Sequence, residues 1–351
     1  MTTMLAAFLP GNSTVNLQEI PIPSPGIGQV LLKMKSSGVC GSDIHYIYHG
    51  HKGSAADPTP LYQGVVNGHE PCGQIVALGA GCKHFREGDR VVVYHISGCG
   101  FCNNCRRGFQ ISCTGKDKAA YGWQRNGGHA EFLLAEERDL IHLPASLSYE
   151  DGAFISCGVG TAYEGVLRAE VSGADSVLVV GLGPIGLATM MIARGRGAKK
   201  IIGVDREQAR LDAALALGLI DQGLLADDDS REKIGQLTHG GASVAFDCSG
   251  SAKGRLLALQ ASSTWGRVVY VGETGTVEFA VSADLLHRQR RLIGSWVTSL
   301  PNMEDCCQHL ADWQIFPNKA ITHRFSLAQA ADAYALMAAG KCGKVVINFP
   351  E

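Results

Sequence analysis

Short apolar segments separated by polar breaks fill the first 143 residues. Examples lie at residues 30–34, 75–78 and 90–93, and Gly, Pro and Asp interrupt the pattern between them. Segments of this length with turn-forming residues between them are typical of strands and loops. The pattern predicts a first unit that is built mainly from β-strands.

The pattern changes after about residue 160, where apolar strands begin to alternate with helical stretches. Strands are predicted at residues 177–180, 200–204, 243–247, 267–271 and 291–295, and helices at 184–194, 207–217 and 253–261. Such alternation is typical of a parallel α/β sheet. A six-stranded doubly wound domain is the simplest architecture that accommodates these elements.

The carboxyl-terminal part carries two amphipathic helical patterns, at residues 302–314 and 327–339, and a last strand at 344–349. We expect this tail to rejoin the first unit. A chain of 351 residues exceeds what one hydrophobic core usually organises. The predicted fold is therefore α/β with two domains, a dinucleotide-binding domain at 159–297 and a catalytic domain that combines 1–158 with 298–351.

Composition and charge narrow the classes of function. Apolar residues make up 46% of the chain and charged residues 18%, a mixture that supports folded domains and argues against disorder. The formal net charge of −2 and the lack of like-charge blocks argue against nucleic-acid and membrane partners. The first residues match neither a signal peptide nor a membrane span, so we expect a cytoplasmic protein with a small-molecule partner.

A glycine-rich turn predicts a dinucleotide site. Gly181, Gly183 and Gly186 follow a predicted strand and open a predicted helix, with Pro184 and Ile185 between the last two glycines. In this context the G-x-G-x-x-G pattern allows a tight turn and lets a pyrophosphate sit at the helix N-terminus.

The next predicted strand ends in an acidic residue that bears on the choice of cofactor. Asp205 stands 19 positions after Gly186, where a carboxylate can bind the ribose hydroxyls and repel a 2′-phosphate. NAD is therefore favoured, while the adjacent Arg206 keeps NADP open as the less favoured cofactor. Arg210, one helical turn later, is either a contact to the adenosine side or a solvated helix charge.

Four of the 12 cysteines form a compact metal-binding pattern. Cys99, Cys102, Cys105 and Cys113 have the spacing C-x2-C-x2-C-x7-C. Four thiolates saturate a tetrahedral zinc ion, so the predicted site is structural. An iron–sulfur cluster would require a different last gap, and a nucleic-acid zinc ribbon would require two separated knuckles.

A second, dispersed group contains the ligand types of an open zinc site. Cys40 lies in the run CGSDIH, His69 and Glu70 lie in NGHEPCG, and Cys157 lies in ISCGVGTAY. A catalytic zinc ion takes three protein ligands and keeps one exchangeable position. Their spacing alone does not distinguish such a site from buried cysteines and a satisfied histidine.

Taken together, these motifs resemble the zinc-dependent medium-chain alcohol and polyol dehydrogenases, alongside sorbitol and threonine dehydrogenases. The resemblance rests on GHE with its following glycines, GDRV at residues 88–91, the four-cysteine loop, the GLGPIG turn and Asp205. It implies a Rossmann domain, a discontinuous, mainly-β GroES-like catalytic domain, two zinc ions per chain, and a homodimer or homotetramer.

The resemblance also implies roles for individual residues. Cys40, His69 and either Cys157 or Glu70 would hold the catalytic zinc, and Asp43 would orient His69. Ser42 and His45 would relay the proton that the substrate hydroxyl loses while hydride passes to the nicotinamide. The remaining implied contacts are to the cofactor: Thr161, Val271 and Gly272 on the nicotinamide side, and Lys344 near the pyrophosphate.

The sequence narrows the substrate to a class of alcohols and not to an individual compound. Tyr46 in CGSDIHY resembles the sorbitol dehydrogenase loop, whereas Ser156-Cys157 stands where polyol dehydrogenases commonly carry Glu-Pro. We predict a polar secondary alcohol, such as a polyol or sugar, as the substrate. The alternatives are a simple alcohol dehydrogenase, a threonine dehydrogenase-like enzyme, a metal-free quinone or enoyl reductase, and a non-enzymatic zinc redox sensor that binds a dinucleotide.

Overall fold

The computed structural model describes residues 2–53 and 60–350. The chain forms two compact units, one made of Met1–Cys157 with Ser299–Glu351 and the other of Gly158–Thr298. Across the described ranges, no helix is both long enough and apolar enough to cross a lipid bilayer.

Seventeen strands occur in the described part of the chain. They are β1 (Thr3–Phe8), β2 (Asn16–Pro21), β3 (Gln29–Val39), β4 (Glu70–Leu78), β5 (Arg90–Val93), β6 (Ile96–Ser97), β7 (Ala119–Ala120), β8 (Phe132–Glu136), β9 (Leu140–His142), β10 (Ser176–Val180), β11 (Lys200–Asp205), β12 (Gln222–Leu225), β13 (Ala242–Asp247), β14 (Ser262–Tyr270), β15 (Arg291–Gly294), β16 (Ile321–Ser326) and β17 (Lys344–Asn348).

Ten α-helices accompany the strands in the same ranges. They are α1 (Gly41–Asp43), α2 (Asn103–Arg106), α3 (Tyr149–Phe154), α4 (Gly160–Arg168), α5 (Pro184–Gly195), α6 (Gln208–Ala216), α7 (Ser230–Thr238), α8 (Ala252–Gln260), α9 (Leu300–Trp313) and α10 (Ala330–Ala338). Shorter π-helical and 3-10 segments include Ile44–Tyr48, which follows α1, and Ile155–Val159, which links α3 to α4.

The second unit is a doubly wound parallel sheet. Its strands lie in the order β12-β11-β10-β13-β14-β15, and each neighbouring pair is parallel. The chain starts at a central strand, moves to one edge, and then returns to build the other half. This is the strand order of the Rossmann fold, in which ligands bind beyond the carboxyl ends of the strands. The predicted fold class is confirmed for this unit.

Strand β12 and helix α7 are among the elements of this unit that were not predicted. Strand β12 contains Gln222 and Gly223 and lies half exposed at the edge of the sheet. Helix α7 is polar and buries only Ser230 and Ile234. Neither segment therefore presents the apolar run or stripe by which a buried element is recognised in a sequence.

A seven-stranded sheet forms the centre of the first unit. Its order is β16-β17-β3-β4-β5-β9, with β8 also paired to β3. Strand β17 pairs with β3 in antiparallel fashion, so the carboxyl-terminal tail completes the sheet that the amino-terminal part begins. Strand β16, which pairs with β17, is mostly exposed and was not predicted from the sequence.

The long strand β3 is anchored on a buried apolar face. Val30, Leu32 and Met34 alternate along the strand, so their side chains share one face and pack with Ile75 and Val91. Burial of each such side chain contributes about 1.5–3 kcal/mol. This packing fixes the β3–β4 pair, and with it the residues that directly follow β3 and directly precede β4.

Candidate metal and dinucleotide sites

The antiparallel pairing of β3 and β4 brings two predicted ligands together. Strand β3 ends directly before Cys40, and β4 begins directly after His69. Gly38 lies opposite Glu70 in this ladder. The end of one strand and the start of the next therefore meet, which closes a sequence separation of 29 positions between Cys40 and His69.

Helix α3 supplies the remaining cysteine of this cluster. Ser148 is the N-cap residue of this helix, and its hydroxyl accepts a hydrogen bond from the Asp151 amide at 3.2 Å. The helix packs against β3 and β4. Its π-helical continuation carries Cys157. One ligand atom from each of four residues then lies within 4.8 Å of the others, namely Cys40, His69, Glu70 and Cys157.

This donor set fits a zinc ion. In a tetrahedral site with Zn–S near 2.3 Å and Zn–N near 2.0 Å, the ligand atoms lie roughly 3.5–3.8 Å from one another. The spacing in the cluster is compatible with that geometry, and two thiols with an imidazole are donors that zinc prefers. The residues that the sequence placed in one group are thus neighbours in space.

Asp43 and Trp123 hold the imidazole ring of His69. The Nδ1 atom of His69 lies 2.8 Å from Asp43 Oδ1, and both side chains are buried. The indole of Trp123 donates to the same carboxylate oxygen at 3.1 Å. A carboxylate on one ring nitrogen leaves Nε2 for a metal and raises the basicity of the ligand. Sequence reasoning identified Asp43 but not Trp123, which is 80 positions away from it.

The protonation of the cluster favours a thiolate at Cys40. A hydrogen bond from the Cys157 thiol lowers the pKa of Cys40 well below its usual range, and His69 lowers this pKa further against the opposing effect of burial. The thiolate is the form of cysteine that binds metal. Cys40 is therefore prepared for coordination before any ion enters.

Glu70 forms a buried ion pair with Lys344. The Lys344 ammonium contacts Glu70 Oε2 and donates to the Val39 carbonyl at 3.0 Å. Burial raises the pKa of Glu70 to about 7, although Lys344 acts in the opposite direction. A Cβ atom at Gly38 would lie only 1.7 Å from Glu70 Oε2, so the carboxylate occupies space that only glycine leaves open.

The structure shows partners of Lys344 that the resemblance did not imply. Its side chain is only 1% exposed and lies over the Phe154 ring, with the ammonium 5.1 Å from the ring centroid. Its contacts with Glu70, Val39 and Phe154 all lie inside the first unit. Lys344 thus pairs with Glu70 in this unit, a contact that its position in the sequence could not reveal, and its proximity to a pyrophosphate stays a prediction.

The two residues of the predicted proton relay lie on consecutive helical segments. Ser42 is in α1, and its hydroxyl donates to Cys40 Sγ at 3.4 Å. His45 is exposed in the following π-helical segment, against the edge of Tyr46. Burial of part of the ring, together with the charges of Lys52 and His49, lowers the pKa of His45 from its usual value. The ring is accordingly neutral, and able to accept a proton, down to a lower pH than a free histidine.

A further histidine lies beside the cluster and was not identified from the sequence. His95 follows β5, is 5% exposed, and has its ring centroid 5.3 Å from that of His69. His95 belongs to no recognised motif, and its proximity to the cluster depends on where β5 lies. Only the tertiary structure brings it into the site.

The four-cysteine loop also closes around one point. Ligand sulfurs of Cys99, Cys102, Cys105 and Cys113 lie within 4.8 Å of one another. Backbone amides point at the sulfurs: Cys102 N donates to Cys99 Sγ at 3.4 Å and Gly115 N to Cys113 Sγ at 3.3 Å. The arrangement fits a closed tetrahedral zinc site with four thiolates.

Helix α2 contributes to the electrostatics of this loop. Cys102 is its N-cap residue, and the sulfur accepts from the Cys105 amide. This bond and one from the Thr114 amide lower the pKa of Cys102 to about 5. Burial, in contrast, raises the pKa of Cys105 to about 12. Amide donors can thus stabilise the Cys102 thiolate before a metal ion binds, whereas Cys105 requires the charge of a cation to lose its proton.

The predicted glycine turn follows β10 and opens α5. Gly181 has φ +91°, and a Cβ atom there would lie 2.8 Å from Ser249 atoms. At Gly186 a Cβ would lie 2.0 Å from the Gly181 carbonyl oxygen, which requires close packing of turn and helix. Gly183 has no such neighbour within 4 Å, and Pro184 with Ile185 begins the helix. The open position is where a pyrophosphate can approach the backbone.

Asp205 ends β11 beside this turn. Its carboxylate accepts from the Leu182 amide at 2.7 Å and the Glu207 amide at 3.0 Å. Arg210 lies 3.6 Å from Asp205 Oδ2, while Arg206 is exposed. The acidic residue is thereby fixed at the carboxyl edge of the sheet, where the ribose of a bound dinucleotide lies in this fold.

The residues assigned to the nicotinamide side divide between a helix and a loop. Thr161 is buried in α4. Val271 and Gly272 follow β14, and their amides donate to the Asp247 carbonyl at 3.0 and 2.9 Å. Arg255, which sequence reasoning missed, donates to the Gly272 carbonyl at 2.7 Å and so holds this loop.

Two family models match the sequence. The alcohol dehydrogenase GroES-like domain matches residues 26–145, and the zinc-binding dehydrogenase domain matches residues 184–313. The matched regions contain both groups of candidate metal ligands, except Cys157, and most strands of the parallel sheet.

Individual proteins match over nearly the whole chain. An uncharacterized zinc-type alcohol dehydrogenase-like protein of Escherichia coli is 72% identical, over all of both chains. A sorbitol dehydrogenase of Halalkalibacterium halodurans is 30% identical over 96% of each chain. Among solved structures, a zinc-binding dehydrogenase of Sinorhizobium meliloti bound to NADP has a TM-score of 0.87 and 26% identity, over 99% of this chain and 100% of its own.

Proposed function

Because the chain belongs to the zinc-dependent medium-chain alcohol and polyol dehydrogenase family, we propose that it transfers a hydride between NAD and a polar secondary alcohol. The observation that carries this proposal is the cluster of Cys40, His69, Glu70 and Cys157, with Asp43 on the imidazole. A metal-free reductase of the same family would have no use for that donor set.

We assign the catalytic zinc to Cys40, His69 and Cys157, with Glu70 within reach as a fourth ligand. Two thiols and an imidazole are soft and borderline donors that suit zinc. Glu70 is already compensated by Lys344, which supports a secondary role for it. The second zinc belongs to the four-cysteine loop, where it would stabilise the fold.

When bound, zinc supplies the Lewis acidity that lowers the pKa of a substrate hydroxyl, and NAD supplies the hydride acceptor. Residues of the chain itself orient the zinc ligands and transfer the proton of the substrate hydroxyl. Asp43 fixes the ring of His69, and Ser42 receives the hydroxyl proton and passes it towards His45. His45 is the terminal base because its lowered pKa keeps it unprotonated at neutral pH.

Loss of the Ser42 hydroxyl is expected to slow oxidation about 10²-fold or more, because a positioned proton-transfer group typically contributes 10²–10⁴-fold. Ser42→Ala should leave NAD affinity within about twofold and flatten the acidic limb of the pH–rate profile. In the wild type that limb should fall below pH 6.5, since the pKa of His45 is lowered. Steady-state kinetics from pH 5 to 9 check this, and an unchanged profile in Ser42→Ala would argue against the relay.

The position of Asp205 supports NAD over NADP. Asp205→Ser is expected to shift the ratio of kcat/KM with NAD to kcat/KM with NADP towards NADP by about 10-fold or more, since the carboxylate both binds ribose hydroxyls and repels a 2′-phosphate. Initial rates with each cofactor measure the ratio. Asp212→Ser, on the exposed face of α6, is the control. A wild type that prefers NADP, or a variant with an unshifted ratio, would contradict the NAD assignment.

The proposed substrate class is tested by a panel of alcohols. We expect NAD reduction to be fastest with polyols or sugars and slower with simple secondary alcohols. The active preparation should hold about two zinc ions per chain, one in a closed site and one in an open site. Zinc analysis and NADH absorbance on the same preparation provide both readouts. Full zinc occupancy with no turnover of any panel member would instead favour a dinucleotide-binding redox sensor.

The outer strand of the second unit supports the proposal of a homodimer or homotetramer. Strand β15 is at the end of the sheet and carries the exposed Leu292, and Val281, Leu286 and Trp296 are exposed nearby in sequence. Open edges with apolar side chains are prone to pair with another chain. Sedimentation is expected to give a multiple of the 37.2 kDa chain mass, and Leu292→Lys should lower it. A wild-type monomer at micromolar concentration would refute the proposal.

A further inference from the structure

Arg255 in helix α8 holds the loop that follows strand β14. Residues 271–280 form neither helix nor strand. The Arg255 guanidinium donates from Nη2 to the Gly272 carbonyl and from Nη1 to the Gly275 carbonyl, each at 2.7 Å. Because a guanidinium carries its donors on one rigid plane, these two bonds together fix where residues 271–275, the β14 loop, lie.

The same guanidinium lies against a buried carboxylate. Asp247 ends β13 and is fully buried, and its Oδ2 atom is 3.5 Å from Arg255 Nε. Asp247 Oδ1 accepts from the Ser249 amide at 3.1 Å and from the Ser249 hydroxyl at 2.6 Å, and Oδ2 accepts from the Gly250 amide at 3.2 Å. One carboxylate thus orients both Arg255 and residues 248–251, which form the β13 turn.

The β13 turn packs against the β14 loop on one side and against the dinucleotide turn on the other. A Cβ atom at Gly250 would lie 2.3 Å from the Glu273 carbonyl oxygen, and one at Gly272 would lie 2.2 Å from the Gly250 nitrogen. A Cβ atom at Gly181 would lie 2.8 Å from Ser249 atoms. The three backbone segments are therefore in direct contact along the carboxyl edge of the parallel sheet.

The β14 loop contains a backbone conformation that its sequence does not favour. Thr274 has φ +70°, in the left-handed region that a β-branched residue rarely adopts. Such a conformation persists only where surrounding contacts impose it. The two carbonyls that Arg255 binds, those of Gly272 and Gly275, lie on either side of Thr274. The Arg255 hydrogen bonds are thus placed to impose this conformation.

The position of the loop in the sheet relates it to one half of the cofactor. The glycine turn after β10 and Asp205 at the end of β11 are the proposed sites of the pyrophosphate and the adenosine ribose. In this strand order a dinucleotide crosses the sheet at the point where the order reverses, between β10 and β13. The nicotinamide half then belongs over the carboxyl ends of β13 and β14, where the β14 loop begins.

We propose that Arg255 is a positioning residue for the nicotinamide half of the cofactor, because it keeps the β14 loop in the conformation that receives this half. The inference rests on the proposed dehydrogenase function. Without the guanidinium the loop adopts other conformations, and the affinity for the whole cofactor falls with the fraction of chains in which the loop is in place. The adenosine half binds on the other side of the β13 turn and is unaffected.

Two ligands separate these halves experimentally. NADH contains both, whereas ADP-ribose has the adenosine and the pyrophosphate but lacks the nicotinamide. Arg255→Met removes all the donors and keeps a long apolar side chain. Its Kd for NADH is expected to rise about 10-fold or more, while its Kd for ADP-ribose stays within about twofold of wild type. Fluorescence titration with NADH and calorimetry with ADP-ribose measure the two constants.

Hydrogen exchange on the ligand-free protein provides a readout that does not depend on binding. Amides of residues 271–275 should exchange faster in Arg255→Met than in wild type, since exchange reports local opening. Arg255→Lys keeps the charge beside Asp247 but lacks the planar fork that reaches both carbonyls, so its Kd for NADH should be intermediate. Arg288→Met is the matched control. Arg288 is exposed and contacts Thr264 Oγ1 at 3.4 Å, near the start of β14 and not its end.

An equal rise in Kd for NADH and ADP-ribose would show that Arg255 only supports the fold of the domain, and this would overturn the inference. An unchanged Kd for NADH would overturn it as well. If Arg255→Met does not fold, the same two criteria apply to Arg255→Lys. A wild type that binds no NADH would end the proposed function too. A wild type that binds NADH and oxidises an alcohol, with both constants unchanged in Arg255→Met, would end this inference alone.

Discussion

Replacing His69 by alanine is expected to abolish turnover, by well over 100-fold, while leaving the fold and NAD binding intact. Removal of a group that merely orients a metal ligand already costs about 10–100-fold in metal affinity or activity. His69 is itself the proposed ligand and lies within 4.8 Å of the other three donors. Cys40→Ser should give the same result, since an uncharged hydroxyl replaces the thiolate.

The measurement combines three readouts on one preparation. Zinc content is expected to fall from about two ions to about one per chain, by the count of one open and one closed site. NADH formation should vanish, and the melting temperature and NAD affinity should change little. His323→Ala, an exposed histidine of β16, is the matched control. If His69→Ala kept its second zinc ion and its turnover, the assigned centre would be wrong.

Asp43→Asn tests the orientation of the His69 ring separately from the role of His69 as a metal ligand. The amide preserves shape but loses the charge that holds Nδ1 of His69 at 2.8 Å. Comparison of His69→Ala with Asp43→Asn therefore distinguishes the metal ligand from the residue that orients it. A loss in Asp43→Asn as complete as that in His69→Ala would mean that the carboxylate does more than orient the ring.

The sequence predicted the central strands of the parallel sheet because they are buried on both sides. Strand β10, for example, is almost entirely apolar and directly precedes the glycine turn. The edge strands β12 and β16 escaped prediction because exposure allows polar residues such as Gln222 and His323. Periodicity reports burial, so elements at the rim of a sheet leave the weakest signal.

The candidate site shows the same division between motif and tertiary contact. Residues within recognisable runs, such as Cys40 and His69, can be grouped from the sequence alone. Trp123, His95 and the Glu70–Lys344 pair cannot, because each contact joins segments that are far apart in the sequence. In the ladder between β3 and β17, Val39 pairs with Val345, next to Lys344. A register of this kind is set by the whole sheet, and no local pattern encodes it.

Substitution of Cys102 by serine is expected to destabilise the protein by several kcal/mol while leaving the chemistry of the other centre unchanged. Binding of a structural zinc ion contributes folding free energy outright, because the unfolded chain has no preformed site. Serine is also a favoured N-cap residue, so α2 keeps a side-chain acceptor for the Cys105 amide. The variant therefore removes a ligand with little other damage.

Denaturant unfolding and zinc analysis distinguish this loss from a general effect of cysteine replacement. Cys82→Ser, a half-buried thiol outside both clusters, should retain both zinc ions and nearly the wild-type unfolding free energy. In Cys102→Ser, activity per correctly folded chain at low temperature should persist, since Cys40 and His69 are untouched. A variant with one zinc ion fewer and an unchanged unfolding free energy would show that the four-cysteine loop does not stabilise the fold. The loop would then have to be reconsidered as a site with another purpose.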